Sequence, residues 1–119
     1  MEGVEVAYKC FHDLQNKIVY KVNDPSITEN KDKKGHLRDW DIRTEVLITR
    51  ADNVLIDHQW KHKTSDSRYK SFPKRYSREQ VIEYFMGRVY PQNCLEISSE
   101  EYEILQGQYE TAAKKNRPT

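Results

Sequence analysis

Alternation of apolar and polar residues is clearest between Asp41 and His62, DIRTEVLITRADNVLIDHQWKH, and it predicts one long antiparallel hairpin. Successive strand residues point to opposite sides, so a buried face reads as every second residue. Trp40, Ile42, Val46 and Ile48 share one parity, and Val54, Ile56, His58 and Trp60 share the matching one on the second strand. Both rows face one side if Ala51, Asp52 and Asn53 form the turn, with Asn53 left-handed. Ile48 then faces Ile56, Val46 faces His58, and Thr44 faces Trp60. The two tryptophans make this hairpin the expected floor of the core.

The flanking segments follow the same logic. Val4, Val6, Tyr8 and Cys10 alternate with polar residues and predict a first strand; Asp13 to Asn16 turns the chain, and Ile18, Tyr20 and Val22 predict a second. Residues 23–38, NDPSITENKDKKGHLR, and 63–76, KTSDSRYKSFPKRY, carry few apolar residues and contain Pro or Gly, so both read as long surface loops. Ser77 with Gln80 has the spacing of a capping box, and Val81, Ile82, Phe85, Met86 and Val89 recur at helical spacing until Pro91 stops the run. Leu95 to Ile97 reads as a bridge or short edge strand. Ser98 with Glu101 opens a second helix with Tyr102, Leu105, Tyr109 and Ala112 on its stripe, and 116–119 reads as a soft tail. The prediction is a single-domain α+β fold over 1–119. It has about four antiparallel strands in two hairpins, followed by two C-terminal helices packed on one face.

Composition narrows the function classes. The 119 residues are 36% hydrophobic and 33% charged with formal net charge +1, which argues against a partner held by global electrostatics. No apolar run approaches the ~20 residues of a membrane span, and MEGVEVAYK lacks the regions of a secretory leader, so a cytoplasmic protein is expected. Two isolated cysteines, Cys10 and Cys94, give neither a disulfide framework nor a structural zinc motif.

Several constellations carry possible chemistry. From 61 to 78, Lys61, Lys63, Arg68, Lys70, Lys74, Arg75 and Arg78 are opposed only by Asp66 and interleaved with Tyr69, Phe72 and Tyr76. Cations neutralise phosphates and rings stack on bases, so the stretch suits single-stranded DNA or RNA. The same rings read more simply as core residues under a solvated loop. Five glutamates from Glu96 to Glu110 without a basic residue create a separate acidic surface, and separated patches suit a protein partner.

On the outward face of the expected hairpin, Asp41, Glu45 and Asp57 with Gln59 and Lys61 have the residue types of a metal-dependent nuclease, in which carboxylates hold Mg²⁺ and lysine stabilises the reacting phosphate. Cross-strand charge pairs account for them more simply. A zinc site would need Cys10 and His12 to meet His58, because His58 and His62 stand ~13 Å apart on a strand. His58 reads better as a core histidine with a hydrogen-bond partner. A metal-independent RNase using His, Tyr and Arg needs geometry more than motif. No phosphate-cradling glycine loop, nucleophile elbow or redox cysteine pair is present.

The sequence therefore points to a small non-catalytic binding protein without cofactor or metal, engaging another protein through the loops 23–38 and 63–76. Nucleic-acid binding through 61–78 is the alternative, and a nuclease comes third.

Overall fold

The computed structural model describes residues 8–118 and forms an α+β fold of six strands in one antiparallel sheet with two helices. The strands are β1 (Lys9–Asp13), β2 (Ile18–Val22), β3 (Ser26–Lys31), β4 (Leu37–Ile56), β5 (Gln59–Pro73) and β6 (Leu95–Ile97); the helices are α1 (Arg78–Val89) and α2 (Ser99–Lys115). Of the strand expected over Val4 to Cys10, residues 4–7 lie outside the described residues.

The 20-residue β4 is the spine. On one edge β5 follows it from Asp39↔Pro73 to Ile56↔Gln59. On the other edge lie β3, from Ser26↔Arg43 to Lys31↔Leu37, and β2, from Ile18↔Arg50 to Val22↔Val46, end to end. Pro25, which has no N–H to give a ladder, falls in the break between them. Beyond β2 come β1 and the three-residue β6. Segment 23–38, expected as a loop, is thus mostly β3 and the tight Asp32–His36 turn. There Asp32 Oδ1 accepts from the amides of Lys34 and His36, and Gly35 takes φ 84°. Segment 63–76 is mostly β5. Both look like loops in sequence because they pair with β4 on one side and face water on the other, which removes the apolar signal.

The expected hairpin exists with a different register. Its turn is Asp57–His58, both left-handed at φ 49° and 65°, the geometry of a two-residue type I′ turn. Ile48 pairs with Thr64, Val46 with Asp66 and Thr44 with Arg68. The apolar run Val54, Ile56, Trp60 imitates a core strand, yet it forms the hairpin's far tip, where Leu55 is 58% and Trp60 44% exposed. His58 is exposed in the turn and not in the core. Between Thr49 and Val54 the register shifts by a bulge, and Asn53, expected as a left-handed turn residue, instead donates its side-chain amide to the Ala113 carbonyl of α2.

Side-chain parity on β4 places the two helices on opposite faces of the sheet, correcting the expectation of one. Trp40, Ile42 and Val46 of β4, with Phe11, Val22 and Phe72, pack against Val81, Phe85, Met86 and Val89 of α1. Cys10 and Val19, which point the other way from Phe11 and Val22, pack against Tyr102, Leu105 and Tyr109 of α2. Helix starts follow the sequence closely. Ser77 and Gln80 form a reciprocal capping box, and the Ser98 hydroxyl accepts from the Glu101 amide.

The long hairpin stretches the molecule to 59 × 33 × 20 Å, with a radius of gyration of 17.5 Å. No helix among the described residues is long and apolar enough to cross a membrane.

Candidate interaction face

α2 covers its side of the sheet where β1, β2, the second half of β4 and the adjoining start of β5 lie. The first half of β4, with β3 and the facing half of β5, is left open on that side. By parity this open face carries Ser26, Thr28 and Asn30 from β3, Asp39, Asp41, Arg43 and Glu45 from β4, and Ser65, Ser67, Tyr69 and Ser71 from β5. Apart from Asn30, Asp39 and Asp41, which are half-buried by their mutual contacts, these residues are exposed.

Short side chains at cross-strand positions connect into a network centred on Asp41. Its carboxylate accepts from Ser71 Oγ at 2.6 Å, Tyr69 Oη at 2.9 Å and Asn30 Nδ2 at 2.9 Å, while Asn30 also donates to Asp39 at 2.7 Å. These hydrogen bonds, that from Ser71 foremost, hold the Asp41 carboxyl below the usual carboxylate range. Tyr69 is 56% exposed, yet its hydroxyl is fixed by Asp41 and by Ser71 at 3.0 Å, and the Arg43 guanidinium lies 5.5 Å from its ring centre. The result is an aromatic ring held in one pose above a hydroxyl-rich, net acidic surface. Beside it, at the gap between β2 and β3, Asp24, Thr44, Glu45 and Arg68 border a groove of about 410 Å³.

The basic stretch does not act as one patch. Strand alternation sends Lys63 and Tyr69 to one side and Arg68, Lys70 and Phe72 to the other, and Lys63 lies ~23 Å along the strand from Lys70. Lys63 is bound to Glu110 of α2, Arg68 to Asp66 at 2.7 Å, and Lys70 lies over the Phe72 ring. Phe72 is 7% exposed and belongs to the core. Tyr76 accepts a hydrogen bond from Trp40 Nε1 at its carbonyl, and its half-buried ring packs edge-on against Phe72 and Tyr84. Lys61 pairs with Val54 near the tip. Lys74, Arg75 and Arg78 remain together at the turn into α1, with Arg75 stacked on Tyr76.

The carboxylate and lysine constellation is not brought together. Asp41 and Glu45 lie on the open face, Asp57 is in the turn, Gln59 pairs with Ile56, and Lys61 is six positions along β5 from Ser67, the partner of Glu45, or ~20 Å away. The register expected from a turn at Ala51 to Asn53 does not form: Glu45 faces Ser67 and Arg43 faces Tyr69. Nor do Cys10 and His12 meet His58: His12 bonds to the Tyr109 hydroxyl at 2.6 Å beneath α2. Burial raises the Cys10 thiol. Among the described residues no three His, Cys, Asp or Glu side chains converge as metal ligands.

Alternation in the sequence placed Asp41 and Glu45, and with them Arg43 between, on the side of β4 opposite the Trp40 row, where the structure has them. It missed that their neighbours are Tyr69 and Ser71, since this depends on where the chain turns. The described residues define an α+β fold with a three-layer arrangement over part of its sheet. No protein-family model matches the chain, and comparisons with curated proteins and with solved structures gave no significant match.

Proposed function

We propose that this chain is a non-catalytic binding module that engages another protein through the open face of β3, β4 and β5. The observation that carries the reading is Tyr69, exposed but locked by Asp41, Ser71 and Arg43. Tyrosine and arginine are the residue types that most often anchor protein interfaces, and a ring already held in its bound pose loses little freedom on contact. The surrounding serines and carboxylates supply acceptors suited to a polar or basic partner surface.

Nucleic-acid binding through 61–78 draws less support. Lys63 and Arg68 already hold carboxylates, Phe72 is used in the core, and the cations divide between two faces.

The test is a tagged purification from the native cell, run with and without nuclease treatment, comparing the natural chain with an Arg43→Glu/Tyr69→Ala variant. A defined protein retained stoichiometrically by the first and lost by the second is expected. Co-purifying nucleic acid, released by salt and by Lys74→Glu/Arg75→Glu but unaffected by the face variant, overturns the reading.

A further inference from the structure

β5 is an edge strand of unusual length: 15 residues whose only strand partner among the described residues is β4, so a full row of N–H and C=O groups faces outward. Ser65 and residues Ser67 to Ser71 are exposed. Such an edge is a template for another strand, and its side chains decide which strand fits.

We propose that the strand it fits is β5 of a second copy, paired antiparallel about a two-fold axis at Ser67. In that register Asp66 of each copy lies opposite Arg68 of the other, giving two cross-strand ion pairs. The remaining cations meet no like charge, because Lys63 faces Ser71, Lys70 faces Thr64 and Lys61 faces Pro73. Trp60, exposed at one end of the edge, comes beside Lys74 at the other.

Neighbouring registers are worse in each direction. An axis at Asp66 or at Arg68 stacks two like charges. Centring on Ser65 sets Asp66 against Thr64 and leaves Arg68 without a carboxylate, and centring on Tyr69 sets Arg68 against Lys70. Axes falling between residues are excluded outright, because they would pair an outward-bonding position with one bonded to β4 and set side chains from opposite faces against each other. Like charges directly opposite one another destabilise a ladder and opposite charges support it, so the pattern selects one register. The Asp66 and Arg68 side chains already meet within one chain at 2.7 Å, which keeps both on the same face of β5 and ready to exchange partners. This pairing is independent of the partner assigned to the open face. It would join two such faces side by side, because an axis normal to the sheet leaves both on the same side.

Sedimentation of the whole chain over a range of concentrations tests the proposal. A reversible dimer is expected; Asp66→Arg should weaken it about tenfold or more, and Asp66→Arg/Arg68→Asp should restore it. Residues on the axis stand ~5 Å apart at Cα, within disulfide reach, so Ser67→Cys should link to itself on mild oxidation beyond the level of the natural chain treated alike. Ser65→Cys, ~13 Å from its own copy, should link only when mixed with Tyr69→Cys. A chain that stays monomeric, a dimer indifferent to Asp66→Arg, or a double variant that stays monomeric overturns the proposal, as does a Ser67→Cys variant that does not link.

Discussion

Asp41 shows how much one carboxylate organises when it sits mid-strand with donors on both neighbours. Ser71 and Tyr69 reach it from β5 and Asn30 from β3, so its charge ties three strands together on the open face. Its folded-state pKa lies below the unfolded value, so the stabilisation is present above about pH 4 and is lost as pH falls through the folded value. Asp41→Asn should therefore make the urea midpoint less sensitive to acid between pH 2 and 6; an unchanged acid limb would mean the network contributes nothing. Phe72 teaches the opposite lesson. Placed among Lys70, Lys74 and Arg75 it reads as a stacking ring, yet its cross-strand partner Trp40 draws it into the core. Composition around a residue does not reveal which face it takes; pairing does.

At the scale of elements, the helices were legible because both their periodicity and their caps are local. Ser77 with Gln80 and Ser98 with Glu101 lie within one turn of the groups they satisfy. Strand pairing was less so. The inward row Trp40, Ile42, Val46 was readable from alternation, whereas its partner β5 was not, being an edge strand of Ser, Thr, Lys and Arg. The turn at Asp57–His58 was missed because neither residue is glycine, although both take φ above zero. Asp57→Asn/His58→Gly should relieve that strain and raise stability by about 1–2 kcal/mol in a denaturant titration. A turn at Ala51 to Asn53 would instead leave the substitution neutral or harmful.

At the scale of the molecule, the fold is extended. A compact chain of this length has a radius of gyration near ~13.5 Å, against the 17.5 Å set by the long hairpin. Small-angle scattering extrapolated to infinite dilution should return a value close to the larger figure; a value near the smaller would mean the tip folds back. The sheet separates two clusters, one around Phe85 beneath α1 and one around Tyr102 beneath α2, so neither helix alone encloses the hydrophobic interior. Nothing in the apolar spacing of either helix reports which face it takes, which is why the sequence left both on one side.

The irregularity between Thr49 and Val54 uncouples two lengths of the same ribbon. Upstream, β4 is flanked by β5 on one edge and by β3 and β2 on the other; downstream, the finger formed by Val54 to Lys61 has lost β2, whose ladder ends at Arg50. A residue gained or lost in the finger alters its reach without turning the Trp40 row toward water. The chain thereby carries a probe whose length can vary while its anchor stays in phase.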